Sequence, residues 1–126
     1  MLERLQPFLA NHPDLEVAVL IGSRARGSAG EHSDWDFAIQ WQRDQADFMT
    51  QLARTEQLRQ ALADLLGCSA EQVDLVDLPS AGLAMRAAVA EEGIPLKGQD
   101  ELPWFHFLSR TWRDLEDWYW ERDHAA

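Results

Sequence analysis

Glu16-Val17-Ala18-Val19-Leu20-Ile21-Gly22-Ser23-Arg24-Ala25-Arg26-Gly27-Ser28-Ala29-Gly30-Glu31-His32-Ser33-Asp34-Trp35-Asp36 joins an apolar run to a glycine-serine turn and then to two alternating carboxylates. The run up to Ile21 reads as a buried strand, so Gly22-Ser23 falls where a strand ends and the chain turns toward a short helix. Glycine lets the main chain approach an anion closely. The serine hydroxyl adds a donor, and the first turn of a helix supplies unpaired N–H groups with positive dipole character. Asp34 and Asp36 open the next strand, through Trp41, where side chains two apart share a face. Adjacent carboxylates repel unless a cation sits between them. Hard oxygen ligands completed by phosphates and water describe a magnesium site, and two ions about 3.5–4 Å apart would activate an attacking hydroxyl and steady a pyrophosphate leaving group. The combination therefore predicts a site for a nucleoside triphosphate.

A third carboxylate is expected on a neighbouring strand, and Gln72-Val73-Asp74-Leu75-Val76-Asp77-Leu78 holds two candidates. Their odd separation puts them on opposite faces of a regular strand. Asp74 is the preferred one, because a charge inside the strand needs a cation or partner, whereas Asp77 lies near Pro79 and is readily solvated.

Gly22-Ser23, ten intervening residues, Asp34-x-Asp36 and the later Asp74 together resemble the nucleotidyltransferase superfamily related to DNA polymerase beta. The short chain is similar to the minimal nucleotidyltransferase (MNT) subgroup, whose members act as antitoxins beside HEPN-domain ribonuclease toxins. The resemblance runs from about Leu15 to Lys97. It departs from the family at Trp35, where an aliphatic residue is usual between the aspartates. It implies an α/β (α+β) fold of minimal nucleotidyltransferase type, a small mixed sheet backed by helices with the three carboxylates meeting on one edge. It also implies transfer of AMP from ATP to a tyrosine of a HEPN toxin. Asp34 and Asp36 would then hold two Mg2+ ions, with Asp74 completing the catalytic metal site. Gly22 and Ser23 would bind the triphosphate, with Arg24 or Arg26 adding charge. The implied complex is a hetero-oligomer with the toxin. Alternatives are a non-catalytic antitoxin acting by sequestration and a nucleotidyltransferase for small molecules, the latter usually needing a further helical domain to hold the acceptor.

The composition suits one soluble domain: 126 residues support a single ordinary core. No apolar run approaches a membrane span and the N-terminus lacks a signal-like segment, which predicts a cytoplasmic protein. Cys68, the single cysteine, reads as a structural thiol without zinc-ligand neighbours. A formal net charge of −11 disfavours direct binding of nucleic acid and suits a basic protein partner. His32 reads as a solvated turn residue, and His12, His106 and His124 show no ligand spacing.

A helix is expected over Leu2 to Ala10, with Leu2, Leu5, Phe8 and Leu9 as its apolar stripe. A long helix from Ala46 to Leu66 places Phe48, Met49, Leu52, Leu58, Leu62 and Leu65 in the core and is closed by Gly67. Ser80 caps a further helix that Gly93 ends before an edge segment Ile94-Pro95-Leu96. Residues 1–98 form the nucleotidyltransferase domain, and 99–126 an aromatic helical tail, either part of the same domain or partner-binding. That tail holds Trp104, Trp112, Trp118 and Trp120. Its expected stripe is Trp104, Leu108, Trp112, Leu115 and Tyr119, with Phe105, Phe107, Trp118 and Trp120 partly outside it. Tyr119 is read as a packed aromatic. Helix surface apolar around much of its circumference needs a second packing surface, so the tail is expected to pack on its own domain and also to grip a partner.

Overall fold

In the computed structural model, which describes residues 1–125, the order is α1 (Leu2–Ala10), β1 (Leu15–Ile21), α2 (Ser23–Arg26), β2 (Trp35–Trp41), α3 (Phe48–Leu66), β3 (Val73–Asp77), α4 (Leu83–Glu92), β4 (Ile94–Lys97) and α5 (Leu102–Asp123). The strands form one mixed sheet, β3-β2-β1-β4, in which β2 and β3 are parallel and β1 runs antiparallel to both β2 and β4. This is the small mixed sheet backed by helices that the sequence predicts.

β1 is central and covered on both faces, which is why its sequence is continuously apolar. Ala18 and Leu20 join Phe37, Ile39 and Trp41 of β2 and Leu5, Leu9, Leu58 and Leu62 of α1 and α3 in one core layer. Val17, Val19 and Ile21 face the other way, with Ala38, Leu78, Val89, Trp104 and Phe107. A β-bulge between Leu15 and Val17 breaks the alternation. It moves Leu15 into the first layer and lets the Glu16 carboxylate accept from Gln40 Nε2 at 2.9 Å.

α3 starts two residues later than expected because Asp47 caps it, accepting from the Thr50 N–H at 2.8 Å. Gly67, in the left-handed conformation at φ +71°, ends it. Only its second half lies on the core. Phe48, Met49 and Leu52, expected to be buried, are 77, 68 and 51% exposed. Their helical spacing is real, but the first two turns run past the packed layer in which Leu58, Leu62 and Ala63 sit. Ser80 does not cap α4. It belongs to a 3-10 turn, Leu78–Ser80, and its hydroxyl donates to Asp77 at 2.5 Å, while Gly82 takes the cap position.

α5 also differs from the expected stripe. Its buried residues are Trp104, Phe107 and Thr111, with Leu108 packed partly against them. Trp112 and Tyr119 are exposed instead. The stripe begins at Trp104 as expected but follows the three-residue step to Phe107, which rotates Trp112 outward. The first half of α5 is thus part of the main core, and just beyond it the Arg86–Asp114 ion pair at 3.0 Å ties the helix to α4. Among the described residues, no helix is long and apolar enough to cross a membrane.

Candidate functional site

β1 ends at Ile21 and the chain turns through Gly22, whose φ of +74° and ψ of −158° form a conformation open essentially to glycine. A second constraint acts at the same residue: a Cβ on Gly22 would lie 2.5 Å from Asp36 Oδ2. The turn and the carboxylate are therefore in direct apposition, in keeping with the antiparallel pairing of Ile21 with Asp36. The N–H groups of Ala25 and Arg26 close on the Gly22 carbonyl, and Gly27, at φ +76°, ends the four-residue helix α2.

Asp36 pairs in register with Asp74 on the parallel neighbour β3, while Asp34 lies just before β2. Burial, then the negative charges of Asp74 and Asp34, push the Asp36 carboxyl above its ordinary pKa, and the Arg26 guanidinium opposes them. Asp74 is exposed, not enclosed as its place inside an apolar strand suggests, because β3 is the sheet edge. Asp77 is turned away from this centre, bonded to Ser80 and lining a different cavity of about 510 Å³ beside Gln40, His106 and Arg110.

A cavity of about 400 Å³ opens beside the carboxylates. Gly22, Arg26, Asp36 and Asp74 form its polar side, and Ile21, Leu75, Val76, Met85 and Ala88 its apolar side. Glu92, from the last turn of α4, stands at its rim and pairs with Arg26 at 3.5 Å. Met85, Ala88 and Glu92 carry no recognisable motif; only the fold of α4 over the sheet brings them here. Ser23, Arg24 and Asp34 lie outside the cavity lining. Arg24, expected to add charge beside the phosphates, is engaged elsewhere. Its guanidinium donates to the carbonyls of Ser33 and Glu31 and stacks over the Trp35 ring. His32 is exposed, as read from sequence.

Among the described residues no three His, Cys, Asp or Glu side chains are gathered into a ready metal cage. The donor chemistry nonetheless fits magnesium. The carboxylates of Asp74 and Asp34 add, after burial, to the rise in the Asp36 pKa, and a divalent cation relieves that repulsion. Such an ion ordinarily takes only one or two protein carboxylates, with substrate phosphates and water as its remaining ligands.

An α/β sheet with a glycine turn held against paired carboxylates defines the nucleotidyltransferase class. The polymerase beta nucleotidyltransferase family model matches residues 3–102, and the chain belongs to that family. It is 30% identical over 89 residues to the protein adenylyltransferase MntA of Aphanizomenon flos-aquae (strain 2012/KM1/D3). That match takes in 68% of this chain and 59% of the cyanobacterial protein, so the chain spans about three fifths of the curated relative's length. A crystal structure of a toxin-antitoxin with AMP-PNP superposes with a TM-score of 0.70 at 29% identity, covering 97% of this chain and 92% of the matched one. The structure of a tri-AMPylated Shewanella oneidensis HEPN toxin in complex with MNT antitoxin gives 0.64 at 26% identity, with coverages of 98 and 93%.

Proposed function

We propose that this chain is an antitoxin that transfers AMP from ATP to a tyrosine hydroxyl of a HEPN-domain ribonuclease toxin. The observation that carries the reading is the apposition of Gly22 to Asp36, with Asp74 in register beside it on the cavity wall. The similarity to an adenylyltransferase and to toxin-antitoxin complexes supports the same reading.

In this assignment Gly22 and Ser23 receive the triphosphate, and Arg26 exchanges its partner Glu92 for a phosphate oxygen. Asp34, Asp36 and Asp74 would hold magnesium, which when bound would neutralise the phosphates and lower the pKa of a hydroxyl. Asp74, exposed at the sheet edge and on the cavity wall, is open to an acceptor from another protein. The tyrosine oxygen attacks the α-phosphorus, its proton passes to the Asp74 carboxylate or to water, and the bond to pyrophosphate breaks. The products are an AMP-tyrosine ester and pyrophosphate. A cytoplasmic setting, where ATP and magnesium are available, goes with this chemistry.

The partner contact is assigned to the second half of α5. Trp118, Tyr119 and Trp120 there are 48, 49 and 61% exposed, and Glu116, Asp117, Glu121 and Asp123 surround them. Aromatic anchors among carboxylates suit a basic protein surface, as does the net charge of −11. The same exposed helix favours a second reading, neutralisation by sequestration without chemistry. Intact-mass measurement decides between them. The protein, ATP and magnesium are incubated with the product of the adjacent gene, beside an Asp34→Asn/Asp36→Asn control. AMP added to the partner, and absent in the control, upholds the transferase. A stable complex with no added mass leaves sequestration.

A further inference from the structure

The eight residues from Gly27 to Asp34 connect α2 to β2 and deliver the first carboxylate, yet none of them is buried. Gly27, Ser28, Ala29 and Gly30 supply almost no side chain with which to hold a conformation, so a loop of this composition is intrinsically mobile. Its internal ties lie in one turn, where the Gly30 N–H donates to Ser33 Oγ at 2.8 Å and the Ser33 N–H to the Gly30 carbonyl at 3.2 Å; at its start the Ser28 N–H donates back to the Ser23 carbonyl at 3.0 Å.

The restraint from outside the loop that lies nearest Asp34 comes from Arg24. Its Nη2 and Nε donate to the Ser33 carbonyl at 2.7 and 3.2 Å, and Nη2 also reaches the Glu31 carbonyl at 3.4 Å. The guanidinium carbon sits 4.0 Å from the centre of the Trp35 ring. Trp35 in turn lies parallel to Phe37, with 6.4 Å between centroids, and Phe37 is buried in the core. A continuous stack thus runs from core to loop: Phe37, Trp35, Arg24, Ser33. The carbonyl gripped at its end belongs to the peptide bond that Asp34 itself completes. Arg24 holds the backbone on one side of Asp34, and Trp35, its platform, is the residue on the other.

We propose that Arg24 is a positioning residue: with Trp35 it clamps the Ser33–Asp34 peptide, and so fixes the Asp34 carboxylate relative to Asp36, without touching the nucleotide. The planar guanidinium can stack and make a forked contact to one carbonyl at the same time, whereas a lysine ammonium does neither well. Misplacing a reacting group by about 1 Å can cost about a hundredfold in rate, so a loosened loop is enough to impair transfer. The rate part of this inference rests on the transferase reading above; the clamp itself does not.

The test uses Arg24→Ala, Arg24→Lys, Trp35→Leu and the Arg24→Ala/Trp35→Leu double variant. Amide hydrogen exchange, followed without metal or nucleotide, is expected to rise about tenfold at Ser33 and Asp34 in Arg24→Ala while β1 and α3 keep their protection. In transfer assays with ATP and the partner, kcat should fall by about a hundredfold and KM for ATP should change less than about threefold. Arg24→Lys should restore part of both, and the double variant should be no worse than Arg24→Ala, since the two residues act as one unit. Unchanged exchange with a raised KM and preserved kcat would mean that Arg24 binds nucleotide directly, and would overturn the clamp. Exchange rising throughout the domain, in Arg24→Lys as well, would also overturn it, leaving only a general structural role. Should the wild type transfer nothing, the transferase reading falls and the local exchange pattern alone decides the clamp.

Discussion

The junction of β1 with β2 and the helix α5 are both rich in charge and aromatic rings, yet they are organised in opposite ways. At the junction every apolar ring has an assigned neighbour: Trp35 lies between Arg24 and Phe37, and Trp41 donates to Thr55 at 2.8 Å. The polar groups there converge, with Gly22, Asp36 and Asp74 drawn together by strand register. α5 is the more aromatic of the two, but beyond Thr111 its rings meet mostly each other. Trp118 contacts Tyr119 edge to face at 5.1 Å, and Arg122 caps both. The first region spends its side chains on internal geometry; the second leaves them available. Convergent charge with internal support is what chemistry needs, and unpartnered aromatic surface is what docking needs.

The sharpest way to break this contrast is Asp36→Asn. AMP transfer, measured by intact mass, should drop by about a thousandfold or more, because the variant removes the carboxylate on which the others converge. Affinity for the partner should stay unchanged if docking lives on α5. The same variant also reads the raised pKa of Asp36, set first by burial and then by its neighbouring carboxylates. A carboxyl whose folded pKa is raised contributes stability that is present below its unfolded pKa, 3.8, and lost as pH rises through the folded value. Urea unfolding in the presence of chelator should therefore show the wild type weakening on that rise and Asp36→Asn unaffected by it. Equal pH dependence in the two proteins would mean that the Asp36 carboxyl is neither desolvated nor crowded enough to raise its pKa.

The complementary change is Trp118→Ala with Trp120→Ala. Each exposed anchor is expected to cost about 2 kcal/mol of partner affinity by calorimetry, while the protein's own melting temperature hardly moves, since neither ring is buried. Full affinity in the double variant would show that the ridge is not the docking surface.

What the sequence could and could not show follows the same division. Covalent spacing and strand alternation act over a few residues, so Gly22-Ser23, Asp34-x-Asp36 and the flanking strands could be placed without a structure. Parity separated Asp74 from Asp77 without choosing between them; the choice rested on an expected enclosure of Asp74 that the edge position of β3 does not give, and it is the register of β3 with β2 that sets Asp74 beside Asp36. Periodicity identified α3 and α5 as helices but not how far each overlaps the sheet. For that reason Phe48, Met49 and Leu52 came out exposed, and Phe107 replaced Trp112 in the buried stripe. The apolar pattern of a helix says which residues share a face; it does not say where the partner surface stops. Met85 and Glu92 were invisible for a stronger reason, since their approach to Asp36 depends wholly on how α4 crosses the sheet.

Gly22→Ala probes the junction from its backbone. The added Cβ meets Asp36 Oδ2 and the positive φ disfavours any side chain, so a loss of about 1–3 kcal/mol in urea unfolding is expected, together with loss of transfer. An alanine protein of wild-type stability and activity would mean that turn and carboxylate are not in contact.

The smallest effect tests the buried half of α5. Thr111 is fully buried, and its Oγ1 has no hydrogen-bond partner among the described residues. A lone hydroxyl in that position costs desolvation without return, and valine keeps the shape and the branching while removing it. Thr111→Val should therefore stabilise the protein by about 1 kcal/mol and leave both transfer and partner affinity as they are. Destabilisation instead would mean that the hydroxyl is satisfied by a buried water. The first half of α5 would then be a wet, adaptable contact like the second, and the division between a helix half that belongs to the core and a half that belongs to the partner would fail at its own boundary.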